Sequence, residues 1–259
     1  VSKSPHITSR LTLAAVFAAA LSLPALAIPK VTQSNASGAG ASNQTVTLAA
    51  SPVNSDIIVA PVLSTATSSP QNPTSVTDSN GVSLTNEANA TGTVSNVLAT
   101  YVYDYQALNS PTGAFKCTFN VASSCRYEVV IEVSGANFSL AKYAEATGTS
   151  GTPSVQIQVA SSPGGLAVCV MSTNSAGETV SLTNTFSTSA PLSATGKYVS
   201  YGTIGTVWTS GESVQCSGGA TSTAWSVSLA IYPSTQCPFM LLPCTPIAWV
   251  RWPFLEVGG

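Results

Sequence analysis

From about residue 45 the chain breaks into short runs rich in Val, Ile, Thr and aromatic residues, separated by clusters of Gly, Pro, Asn and Ser. That rhythm predicts β-strands near residues 45–49, 56–62, 96–103, 126–133, 154–160, 165–173, 179–186 and 224–232, with shorter ones between them. Alternation predicts which sides are dry. Val155, Ile157 and Val159 share one face, and Gln156 and Gln158 the other. Trp225, Val227, Leu229 and Ile231 lie opposite Ser226 and Ser228, which reads as one dry and one wet face. The run GLAVCVM (165–171) is apolar on both sides, as a central strand would be. No helical period persists after residue 27, and no internal repeat is discernible. Many short strands at this spacing predict an antiparallel β-sandwich or barrel.

The flanks read differently. Lys3 and Arg10 precede an apolar run, Leu11–Leu23, which Pro24 breaks ahead of Ala25-Leu26-Ala27. Residues 1–27 are therefore predicted to be a secretory signal peptide. The run is too short for a comfortable membrane span, which takes about 20 residues. Residues 28–44 are polar and rich in Ser, Gly and Ala, the composition of a flexible arm. Residues 45–233 form the predicted sandwich domain. Residues 234–259 are an apolar tail broken by prolines, suited to covering the sandwich or to presenting an apolar surface to a partner.

Charge narrows the functions available. Only 7% of residues are charged, against 44% hydrophobic. Beyond residue 27 there are six basic and ten acidic residues, and the single histidine, His6, lies within the predicted signal. The clustered Lys and Arg that a nucleic-acid footprint requires are absent from the sequence. Triads built on an imidazole, and the usual zinc catalytic sites, have no ligand to draw on in residues 28–259. No later segment has the pattern of a membrane span. The expectation is a non-catalytic protein.

Six cysteines, Cys117, Cys125, Cys169, Cys216, Cys237 and Cys244, fit disulfides in an exported chain. Proximity suggests Cys117–Cys125 across a hairpin and Cys237–Cys244 across a Pro-rich loop, leaving Cys169–Cys216 to join distant strands.

The remaining chemistry is sparse. Glu128 and Glu132 lie on one face of the run RYEVVIEV, roughly 13 Å apart at about 3.3 Å per residue. That exceeds the separation of a glycosidase acid pair, so the two are predicted to be polar positions on a partly solvated sheet face, unless one pairs with Asp104 or Glu145. Asp78 and Asn80 precede Gly81 and could offer oxygens to a structural calcium, although an Asn-Gly pair between extended runs is also a hairpin turn. Tyr101, Tyr103 and Tyr105 alternate onto one face. With Trp208 they are candidates for stacking on sugar rings, the alternative being core packing. Sequons stand at Asn35, Asn43, Asn89 and Asn137, no more than the Asn, Ser and Thr content yields by chance.

Taken together, the stretches VTDSNGVSLTNEA (76–88), LATYVYDY (98–105), YEVVIEVSGA (127–136) and AWSVSLAIYP (224–233) resemble a group of secreted prokaryotic β-sandwich modules of jelly-roll, concanavalin-like shape. The matching positions are Asp78 and Gly81, Tyr101 or Tyr103, Glu132 with Ser134 and Gly135, and Trp225. The six cysteines and the GVSLT run after Asn80 depart from that group. The resemblance implies an antiparallel two-sheet β-sandwich, jelly-roll-like, of about 10–12 short strands. It also implies extracellular display or binding. The sequence thus predicts a secreted module for adhesion to a cell surface, a polysaccharide or another extracellular protein. The alternative is a self-associating filament or coat subunit that uses the arm or tail for strand addition, and a glycoside-active enzyme is the weaker third.

Overall fold

The computed structural model describes residues 28–38, 43–66, 73–92, 97–119, 125–159, 164–175, 178–205 and 212–235. The predicted signal peptide, Trp208 and residues 236–259, with Cys237 and Cys244, lie outside them. The all-β expectation holds: these residues form sixteen strands and one 3-10 turn, Phe138–Leu140. That is more strands than the sequence suggests.

The strands make four antiparallel sheets. In the first half of the chain, β1 (Lys30–Ala36), β8 (Cys125–Ser134), β3 (Ile57–Ala66), β6 (Val97–Gln106) and β5 (Thr85–Gly92) form a five-stranded sheet in that order. A three-stranded sheet runs β2 (Asn43–Thr47), β7 (Ala114–Thr118), β4 (Ser75–Asp78). In the second half, β9 (Lys142–Gly148), β16 (Trp225–Pro233), β11 (Gly165–Thr173), β14 (Lys197–Ile204) and β13 (Thr185–Ala194) form another five-stranded sheet. The last sheet is β10 (Ser154–Val159), β15 (Glu212–Ser217), β12 (Ser181–Leu182).

The two halves are wired identically. Within each, the five-stranded sheet takes the half's strands in the order 1-8-3-6-5 and the small sheet 2-7-4. This is a jelly-roll arrangement of eight strands with Greek-key crossings, except that the fifth strand has joined the larger sheet. The chain therefore contains an internal structural repeat that its sequence does not reveal. The register makes the equivalence residue by residue. Tyr101 pairs with Val62, and Tyr198 with Met171. Ala60 pairs with Tyr103, and Cys169 with Ser200. Cys117 lies between Gln44 and Val76, and Cys216 between Val155 and Leu182. Few of these matched positions keep the same residue, so the repeat is carried by burial pattern and not by identity.

Three hydrophobic clusters stack the sheets into four layers. One, with Ile58, Ala60, Val62, Tyr101, Phe115 and Val130, lies between the first half's large and small sheets. Another, with Val155, Ala167, Met171, Val214 and Leu229, does the same in the second half. Between them Ile57, Val59, Val102, Val129 and Ile131 meet Leu166, Val168, Val199, Ala230 and Tyr232, so the two large sheets pack against each other. Each large sheet is thus covered on both faces. This explains why β11 and β16 are buried almost throughout. The outer strand β10 alternates as predicted, with Val155, Ile157 and Val159 inward. The same layering corrects the reading of β16. Ser226 and Ser228 face the first repeat and not water, and both are fully buried. The Ser228 and Thr100 hydroxyls are 2.9 Å apart across the junction.

The N-terminal arm is also corrected. Residues 30–36, read from composition as flexible, pair along β8, and Asn43–Thr47 is a strand on β7. Local composition missed this because the partner strand supplies the apolar surface. Of the expected disulfides, Cys169–Cys216 forms, joining the second half's two sheets. Cys117 carries a buried thiol outside any disulfide, so the Cys117–Cys125 pairing is not formed.

Candidate functional site

The predicted ligand residues come first. Asp78 is buried and saturated by the protein. Its Oδ1 accepts from the backbone N–H of Asn80 (2.8 Å) and Val82 (2.9 Å), and its Oδ2 from the Tyr105 hydroxyl (2.8 Å). Gly81 takes the left-handed conformation (φ +79°) that closes this turn. The DSNG segment is thus organised as a turn, with Asn80 exposed. No group of three or more His, Cys, Asp or Glu able to hold a metal occurs among the described residues.

The tyrosine row is correctly placed on one face, but that face is the interior. Tyr101, Tyr103 and Tyr105 are at most 8% exposed and belong to the first core cluster, so none offers a ring to a sugar. The sequons are scattered. Asn35 is exposed and donates to Thr47 O, and Asn43 is exposed at the start of β2. Asn89 falls on β5. Asn137 caps the 3-10 turn by accepting from Ser139 N.

The two glutamates are not on a wet surface. Glu128 and Glu132 point into the space between the first half's sheets and are 0% and 2% exposed. Neither candidate partner reaches them. Asp104 is on the opposite face of its sheet, and Glu145 is exposed on β9. Glu132 is instead a tie point. Its Oε2 accepts from Gln33 Nε2 of β1 (2.6 Å) and its Oε1 from the N–H of Val53 (2.6 Å). Asp56, which sequence reasoning passed over, places its carboxyl within hydrogen-bond reach of Glu132. Burial and the Glu132 charge together raise its pKa to about 6, against a smaller opposing pull from Lys30. These contacts fasten β1 and the β2–β3 connection.

A solvent-reachable site lies in the second repeat. A groove of about 330 Å³ runs between β12, the bulged edge strand β13 and β14, lined by Val180, Ser181, Leu182, Thr188, Ser189, Ala190 and Ser200. The repeat explains its existence. Ser200 and Gly202 stand at the positions that Tyr103 and Tyr105 occupy in the first half. There two large rings fill the space beneath the fourth and fifth strands. Here the Ser200 hydroxymethyl leaves room, while the space over Gly202 is taken by Thr185 and Thr188, which a Cβ at Gly202 would meet at 2.8 and 3.0 Å. The β13 register shifts twice, between Phe186 and Ser189 and between Ser189 and Leu192, which lifts that strand away from β14. Four hydroxyls line the groove beside three aliphatic side chains, and none of the lining groups is ionisable. Such a lining recognises by hydrogen bonding and shape and not by charge. The only sequence signal for it was the TYVYDY/KYVSYG correspondence, invisible without the shared register.

Among the described residues no helix is long and apolar enough to cross a membrane. The chain matches no protein-family model, and no curated protein or solved structure is significantly similar to it.

Proposed function

We propose that this protein is a secreted, non-catalytic binding module that attaches to a neutral, hydroxyl-rich polymer such as a surface polysaccharide. The observation that carries the reading is the groove of the second repeat, lined by four hydroxyls and no ionisable group. Sugar hydroxyls exchange hydrogen bonds readily with Ser and Thr, and the aliphatic lining suits the apolar faces of the rings. An inter-sheet disulfide fits export. The resemblance to secreted jelly-roll modules points the same way. Assembly through strand addition by the arm has less support, because β1 pairs with β8 of its own chain and Gln33 is tied to Glu132.

Affinity electrophoresis against a panel of neutral and acidic polysaccharides tests this. Binding to a neutral member is expected to weaken at least tenfold in Ser200→Tyr, which restores the first repeat's side chain and fills the groove. The far-ultraviolet circular dichroism spectrum should stay unchanged. A protein that binds no glycan, or a folded Ser200→Tyr that binds as well as the parent, would refute the reading.

A further inference from the structure

The first repeat carries carboxyl groups where the second has none. In the shared register Glu128 stands opposite Val62 as Val227 stands opposite Met171. Likewise Asp104 pairs with Val59, and Tyr201 with Val168. Neither acid is demanded by the fold, since the second repeat builds the same strands without them.

Their surroundings suit neutral acids and not carboxylates. Glu128 is fully buried, and neither Oε1 nor Oε2 has a hydrogen-bond partner. Among the described residues, the cluster around it offers aliphatic side chains, Tyr101, Tyr103 and the Cys117 thiol, and no cation acts on its carboxyl. The N–H of Cys117 approaches the carboxyl without reaching hydrogen-bond geometry and offsets only part of the burial penalty. Asp104 is fully buried at the junction of the repeats. Its Oδ2 accepts from the hydroxyls of Tyr143 on β9 (2.7 Å) and Tyr232 on β16 (2.6 Å), while its Oδ1 has no partner. The remaining charged group acting on it is Glu87 of β5, which repels the ionised form. The two hydroxyls favour the ionised Asp104, but its burial outweighs them. A buried carboxylate that is not fully compensated costs several kcal/mol, so each group keeps its proton instead.

We propose that this fold contains a pH-sensitive device in which Glu128, inside the first repeat, and Asp104, at the repeat junction, hold protons in the native state. The protein is set for acidic surroundings and loosens as they become alkaline. The device lies away from the groove and does not depend on the binding role given to it.

The direction follows from linkage. In the unfolded chain both carboxyls ionise near the ordinary range, about pH 4. In the folded protein burial raises Asp104 to about 6 and Glu128 to about 8. Between these limits the native state binds more protons, so stability is fully present below about pH 4 and is lost as pH rises through 6 and then 8. Each extra proton bound makes the unfolding constant rise about tenfold per pH unit.

Urea unfolding of the oxidised protein at pH 4, 6, 7 and 8 tests the proposal. We expect the unfolding constant to climb throughout, with about a tenfold rise from pH 6 to pH 7 that Glu128→Gln removes and Asp104→Asn leaves in place. Should Glu128→Gln not fold, Glu128→Val copies the second repeat and serves the same purpose. Infrared difference spectra at pH 7 should show a protonated-carboxyl stretch that disappears in whichever of these variants is used. A wild-type stability that is flat or rises from pH 4 to pH 8 overturns the proposal, as does a folded Glu128 variant that keeps the parent's profile.

Discussion

Substituting Ala60 by Cys examines the internal repeat directly. In the second repeat Cys169 of β11 reaches across to Cys216 of β15, with their Cα atoms 5.9 Å apart. The first repeat has Cys117 at the place of Cys216, but Ala60 at the place of Cys169. Both Ala60 and Cys117 are fully buried in the same cluster. If the repeats superpose as their registers state, Ala60→Cys should form a bridge from position 60 to Cys117. The loop it closes is slightly longer than the 47 residues separating Cys169 and Cys216, so chain entropy gives a gain of about 4 kcal/mol. Adding a sulfur beside Tyr101 and Tyr103 opposes this with about 1–3 kcal/mol of overpacking. The net is about 1–3 kcal/mol, at about 2–4 °C of Tm per kcal/mol for a chain of this size. Thiol titration of the denatured protein should find one thiol fewer than in the parent, and peptide mapping should locate the new bridge. Calorimetry should show a higher Tm that falls back on reduction. A variant that folds yet keeps the Cys117 thiol fully reactive after denaturation would falsify the residue-level equivalence.

Two further substitutions probe the packing that holds the second repeat and the junction. Gly148 pairs with Trp225 at the end of β9, and a Cβ there would collide with the indole ring, whose Nε1 donates to Ser150 O. Gly148→Ala is expected to destabilise by about 1–3 kcal/mol, read from the urea midpoint. An unchanged midpoint would show that the indole has room to move. Tyr232→Phe removes the shorter hydrogen bond to Asp104 and leaves that buried carboxyl with Tyr143 alone. A loss of about 1–3 kcal/mol is expected, and a neutral effect would place Asp104 outside the junction.

Most strand positions, the all-β class and the inward face of Val155, Ile157 and Val159 were legible because each depends on local alternation. The single strand expected over 179–186 is instead broken by a turn at Thr183–Asn184, with β12 before it and β13 after. The Cys169–Cys216 bridge was expected and forms, although the elimination that pointed to it assumed a Cys117–Cys125 pairing that is not formed. Which face is wet was not. Ser226, Ser228, Glu128 and Glu132 look solvent-facing in any one strand, yet each meets another sheet. Alternation distinguishes two faces, but it does not say whether the second is covered by water or by another sheet. The tyrosines illustrate the same limit, since one row of rings serves a core or a ligand equally well until a second sheet is placed over it.

The sequence by itself determined the local grammar: short strands, a polar surface of hydroxyls with little charge, and no imidazole beyond residue 27 to build a catalytic centre around. Tertiary structure alone decided the rest. The duplication appears only in strand order, because burial tolerates substitution of one apolar residue by another while hydrogen-bonded register does not tolerate a shift. The groove exists only as a difference between two copies, where Ser200 leaves unfilled what Tyr103 fills. The protonated state of Glu128 and Asp104 depends on which side chains enclose them, and those come from strands far apart in the chain. Local pattern is set by neighbours in sequence. Solvation, charge state and cavity are set by neighbours in space.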